Sequence, residues 1–137
     1  MARIAVIGLG YFGREVAHAL IARGHDVVAI DKELSCVEAL ADEVKECVRL
    51  DATSRDALEE HRVHEADACV VCMGDAFEEA ELTVMALASL GLKRIIARGT
   101  TRERARILEA LGPRVISPDA DAAARVAEGL TDELKGG

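Results

Sequence analysis

Arg3-Ile-Ala-Val-Ile-Gly-Leu-Gly-Tyr-Phe-Gly13 decides how the rest of the chain is read. Ile4 to Ile7 is a short, β-branched apolar run, which predicts a buried strand. It leads directly into Gly8-x-Gly10-x-x-Gly13, and a helical pattern follows. Strand, glycine turn and helix in that order are the context in which this spacing carries chemistry. Gly8 permits a tight turn out of the strand. Gly10 lacks a Cβ and lets a pyrophosphate approach the backbone. Gly13 lets the helix lie close to the strand. The first helical turn has free N–H groups and the positive end of the helix dipole, which suits a phosphate. Asp31 closes the second apolar run, Asp26-Val-Val-Ala-Ile-Asp31, at about the twenty-residue spacing of a carboxylate that holds a ribose diol.

The 137 residues are enough for one domain with a real core, and half of them are hydrophobic. Only 2% are aromatic, so that core is aliphatic. A net charge of −8 leaves no basic excess to neutralise nucleic-acid phosphates. No apolar run reaches the roughly eighteen residues of a membrane span, and Met1-Ala-Arg3 leads straight into a core strand rather than a signal peptide. The expected location is the cytoplasm, with no insertion into the membrane.

Cys69-Val-Val-Cys72 has a zinc-like spacing, with His61 and His64 just before it. It lies inside an apolar strand pattern, where residues three apart face opposite sides. Cys36, Cys47, Cys69 and Cys72 are therefore read as small buried hydrophobes, and no metal site is expected.

The remaining chain alternates strands and helices. A helix from Tyr11 to Arg23 stops at Gly24. A second carries Leu34, Val37, Ala41 and Val44 on one face. Cys47–Leu50 is a short third strand, and Thr53 or Ser54 caps the helix after it. Asp67–Met73 is the fourth strand, and Gly74-Asp75 turns it into a long helix ending at Gly91. Arg94–Arg98 is the fifth. Thr100-x-x-Glu103 reads as a capping box for the next helix. Arg114–Ser117 is the sixth strand. Pro118-Asp119 opens a last helix to about Leu130, leaving residues 131–137 as a frayed tail. Six βα units with short connections predict an α/β, Rossmann-like, doubly wound parallel sheet of six strands, in the order 3-2-1-4-5-6.

Ligands of such sheets sit at the strands' carboxyl ends, where the order reverses. That rule gathers Gly8–Gly13, Asp31-Lys32, Asp51-Ala52-Thr53 and Met73-Gly74-Asp75 around one crevice. The Asp31 carboxylate disfavours a 2′-phosphate, although Lys32 softens that argument. Asp51 and Thr53 either touch an adenine or cap a helix. Asp75 either caps a helix or lines the ligand, and Arg98 either meets phosphate or is a solvated surface residue. His18, His25 and the segment 59–65 read as surface. No nucleophile elbow, metal cluster or His–carboxylate pair can be placed in the crevice. A binding module rather than an enzyme is expected, with the nucleotide domain of an NAD-dependent oxidoreductase as the alternative.

From Ala2 to about Leu130 the chain resembles the RCK (KTN, TrkA-N) nucleotide-binding regulatory domain of potassium channels and of Trk and Ktr potassium transporters. The motifs that carry the resemblance are Val6–Gly13, Val28–Asp31, Asp51–Thr53, Gly74-Asp75, Ala97-Arg98, Leu108–Gly112 and Val115–Asp119. It implies an adenine nucleotide, NAD, NADH, ATP, ADP or AMP, held by Gly8, Leu9, Gly10, Tyr11, Phe12, Gly13, Asp31, Lys32, Asp51, Ala52 and Thr53. Met73, Gly74, Asp75 and Arg98 would line its phosphate or distal end. The resemblance also implies a homodimer joined partly through the last helix, within a higher ring in some members, and a membrane potassium transporter or channel subunit as partner. Leu50 stands where members often have Gly, and Ala80 where many have Asn or Ser. The expectation for residues 1–130 is the N-lobe alone, without the second lobe that usually follows it.

Overall fold

Residues 1–136 are described by a computed structural model. The strands are β1 (Arg3–Ile7), β2 (Asp26–Asp31), β3 (Glu46–Arg49), β4 (Ala68–Val71), β5 (Ile95–Arg98) and β6 (Arg114–Ile116). The helices are α1 (Tyr11–Ala22), α2 (Leu34–Leu40), α3 (Arg55–Glu60), α4 (Phe77–Ser89), α5 (Arg102–Ala110) and α6 (Pro118–Gly136), with one 3-10 turn at Val63–Glu65. All five strand pairings are parallel, and the sheet order is β3-β2-β1-β4-β5-β6, as the alternation of units predicts.

β1 lies at the centre and shows why both faces must be covered. Ile4 and Val6 pack with Ala17 of α1, Leu40 of α2, Val27, Ala29 and Cys72. Ala5 and Ile7 pack on the other face with Leu58 of α3, Val84 and Leu87 of α4, and Leu108 of α5. Period-two side chains on a strand buried from both sides give this pair of clusters. Cys69 of β4 and Cys72 just past its end divide the same way, one into each cluster. Register sets the level of the site. Ile7 stands opposite Ile30 on one side and Val71 on the other, so Gly8, Asp31 and Cys72 leave the sheet side by side.

Several boundaries differ from the sequence expectation. α2 ends at Leu40, where a tight turn (Glu43 N to Leu40 O, 2.9 Å) sends the chain toward β3. Val44 lies outside the helix yet still packs in the α1–α2 cluster. Thr101, not Thr100, caps α5: its hydroxyl accepts from Arg104 N at 3.1 Å, while Thr100 receives the Arg104 guanidinium. α4 begins at Phe77, two residues after Asp75, and Asp75 makes no cap hydrogen bond. The frayed tail from Thr131 is also corrected. α6 runs on through Gly136, because Asp132-Glu-Leu-Lys135 are adequate helix formers and Lys135 complements the carboxyl end of the dipole. Gly137 lies outside the described residues. Nothing on α6 is buried, and Val126, Leu130 and Leu134 are exposed.

Candidate functional site

The glycine turn takes its shape from contacts that a side chain would prevent. Gly8 has a φ of +93°, and a Cβ there would stand 2.8 Å from Met73 N. A Cβ on Gly13 would stand 1.8 Å from the Gly8 carbonyl oxygen. A Cβ on Gly10 would meet nothing within 4 Å, so this glycine faces open space. The three glycines thus separate into two that pack and one that leaves room. α1 follows Gly10 with no side-chain cap and no acid in its first turn, so its leading N–H groups are free to receive an anion.

Asp31 ties this turn to the end of β2. One carboxylate oxygen accepts from Leu9 N at 2.7 Å and the other from Glu33 N at 2.8 Å. A carboxylate offers about four lone-pair sites, so capacity remains for two ribose hydroxyls. Asp51 accepts from both the N–H and the hydroxyl of Thr53, at 3.0 and 2.6 Å. Those bonds hold its carboxyl below the usual carboxylate range. Ser54 caps α3 instead, accepting from Ala57 N at 3.2 Å. Asp51 and Thr53 are therefore wall residues rather than caps.

Across the crevice Arg98 ends β5. Its guanidinium lies 5.2 Å from the centre of the Phe12 ring, a cation–π contact that fixes where the charge sits. The Arg98 Nε is buried and has no hydrogen-bond partner. A solvated surface arginine would not leave that group buried, so Arg98 belongs to the crevice wall. Beneath it, burial pushes the Cys72 thiol up to about 12 against the pull of Arg98, and the sulfur stays neutral.

These segments line one crevice of about 1040 Å³. Fourteen of the fifteen residues singled out in the sequence reach it: Gly8, Leu9, Gly10, Tyr11, Phe12, Asp31, Lys32, Asp51, Ala52, Thr53, Met73, Gly74, Asp75 and Arg98. Gly13 is the exception. It is buried behind the turn against Gly8, so it shapes the loop and does not touch the crevice. The sequence reading missed Glu79 and the first turns of α6, where Pro118, Asp119, Ala122 and Arg125 form one side of the crevice. Glu79 lies in the first turn of α4, and nothing in the sequence marked it for the crevice.

Residues 4–118 match the model of the TrkA-N domain family. The chain belongs to the TrkA-N family. The Ktr system potassium uptake protein A of Bacillus subtilis (strain 168) is 30% identical over 132 residues, which cover 96% of this chain and 60% of that protein. The TrkA-N chain thus spans less than two thirds of this relative's length. Among solved structures, the Kef CTD of Shewanella denitrificans in its AMP-bound form is 25% identical, with a TM-score of 0.76 over 98% of this chain and 82% of that one. The TrkA-N domain of the inner membrane protein ybaL from Escherichia coli has a TM-score of 0.83 at 18% identity, covering 94% and 96% of the two chains, and shares the fold.

Proposed function

We propose that this TrkA-N domain binds an adenine nucleotide in the crevice and regulates potassium movement through a membrane transporter or channel subunit. The observation that carries the ligand reading is one crevice lined by Arg98, by Asp31 and by the open N-terminus of α1. A diol acceptor at one end and an anion receiver at the other suit a nucleoside phosphate. AMP bound to the related Shewanella protein supports the same class of ligand. NAD, NADH, ATP, ADP and AMP all meet these requirements. Asp31, Asp51 and Thr53 would hold the adenosine half. Gly10, the α1 N-terminus, Gly74, Asp75 and Arg98 would receive the phosphates.

The potassium role rests on the likeness to the Bacillus uptake protein. No helix among the described residues is long and apolar enough to cross a membrane. In this reading the chain turns nothing over. Its ligand acts by preferring one arrangement of a homodimer over another. Val126, Leu130 and Leu134 recur every four residues along α6 and are exposed, which suits a helix that packs on a second copy. Calorimetric titration with 5′-AMP, ADP, ATP and NAD tests the ligand. Sedimentation at tens of micromolar tests the dimer: a monomer with and without nucleotide would refute it.

A further inference from the structure

Lys32 follows Asp31 directly and would be the obvious cation for a phosphate on the ribose 2′-oxygen. Its ammonium instead bonds Glu79 of α4, from 47 residues away, and both side chains line the crevice. Glu33 and Asp51 add further negative charge around it, and Glu79 holds the ammonium more firmly protonated than usual. The neighbouring Arg49 is also engaged, donating from Nε to the Lys32 carbonyl at 3.1 Å. Any 2′-phosphate would have to sit beside the Asp31 carboxylate and displace Glu79 from Lys32.

We propose that Glu79 is a specificity-determining residue that keeps 2′-phosphorylated nucleotides out by occupying Lys32. This rests on the nucleotide reading above and extends it from a ligand class to a choice within that class. Asp31 alone repels a 2′-phosphate, but a free lysine beside it would offset much of that repulsion. With Glu79 in place, Lys32 is the one ammonium among the carboxylates of Asp31, Glu33, Asp51 and Glu79. With glutamine there, Lys32 is released toward the ribose.

The experiment compares two probes that differ by one phosphate, 5′-AMP and adenosine 2′,5′-bisphosphate, by calorimetry on the wild type, Glu79→Gln and the double variant Glu79→Gln with Lys32→Gln. The readout is the ratio of the two affinities, so a general effect on the crevice cancels. The wild type should prefer 5′-AMP. Glu79→Gln should narrow that preference by about three- to fivefold, the scale of one half-exposed charge contact. The double variant should restore it. An unchanged ratio in Glu79→Gln, with 5′-AMP still bound, overturns this proposal and leaves the nucleotide reading standing. Equal narrowing in the double variant also overturns it, because Lys32 is then not the group released. If the wild type binds neither probe, the nucleotide reading itself fails and takes this one with it.

Discussion

At the β2–β3 end of the crevice, Asp31 is held by Leu9 N and Glu33 N, Asp51 by Thr53, and Lys32 by Glu79. At the β5 end, Arg98 has an aromatic ring beside it and a buried Nε with no acceptor among the described residues. The first end is built from groups whose geometry is already fixed by the protein. It can present acceptors to a rigid sugar and base with little further ordering. The second end holds a cation in place at the crevice wall, which suits an anionic group supplied from outside. In the proposed reading, the difference would assign the neutral nucleoside to the first end and the phosphate to the second.

The sharpest way to break that contrast is in the glycine turn between the two ends. Gly13→Ala should damage the fold itself, because its Cβ would stand 1.8 Å from the Gly8 oxygen. Thermal unfolding should show a loss at the top of the roughly 1–3 kcal/mol range for overpacking, or worse. Gly10→Val should leave the melting temperature nearly unchanged, since no atom lies within 4 Å of the added Cβ. It should nonetheless reduce nucleotide binding beyond detection, because the new side chain fills the pyrophosphate's approach. A Gly10→Val protein that binds normally would remove phosphate from the turn.

Next in size is the pair of charged residues, one at each end. Arg98→Met keeps the packing against Phe12 and deletes the cation. Phosphorylated nucleotides should weaken by about 1.5–3 kcal/mol, as for a hydrogen bond to a charged group, while adenosine binding stays as it was. Asp31→Ala should weaken nucleotides and adenosine alike by a similar amount. It should also lower stability, because Leu9 N and Glu33 N lose their acceptor. Equal loss of adenosine in both variants would erase the assignment of the two ends.

The smallest effect concerns acid. The Asp51 carboxyl is lowered by the Thr53 hydroxyl and then the Thr53 N–H. A depressed folded value means this contribution is complete above the ordinary carboxylate range, near pH 4, and is lost as pH falls through the lowered value. Asp51 is exposed, and solvent screening keeps the contribution under about 0.5 kcal/mol. Thr53→Val should make the acid limb of the stability curve slightly shallower. A steeper limb would have the sign wrong.

The readable part of this protein is the part set by local geometry. The turn at Gly8 and the strand alternation at Ile4–Ile7 depend on neighbours in sequence, and they were legible with Asp31 at the next strand's end. The α5 cap was off by one residue because Thr100 and Thr101 are chemically alike, and only the helix phase chooses between them. Glu79 could not be paired with Lys32 from sequence, since the contact needs the sheet order and the reach of two long side chains. The α6 wall was hidden for the same reason: Pro118 marks a helix start, but only the assembled sheet brings Arg125 to the crevice. Ala52 and Met73 came into view through their place just past the carboxyl ends of β3 and β4, not through any chemistry of their own.

The central claim is that one crevice joins a diol acceptor to a phosphate receiver. The most direct test is a calorimetric titration of the purified chain with 5′-AMP and, in parallel, with adenosine. The account predicts saturable binding of one 5′-AMP per chain, weaker binding of adenosine, and a difference between them that disappears in Arg98→Met. Absence of 5′-AMP binding, or equal affinity for 5′-AMP and adenosine in the wild type, would contradict it.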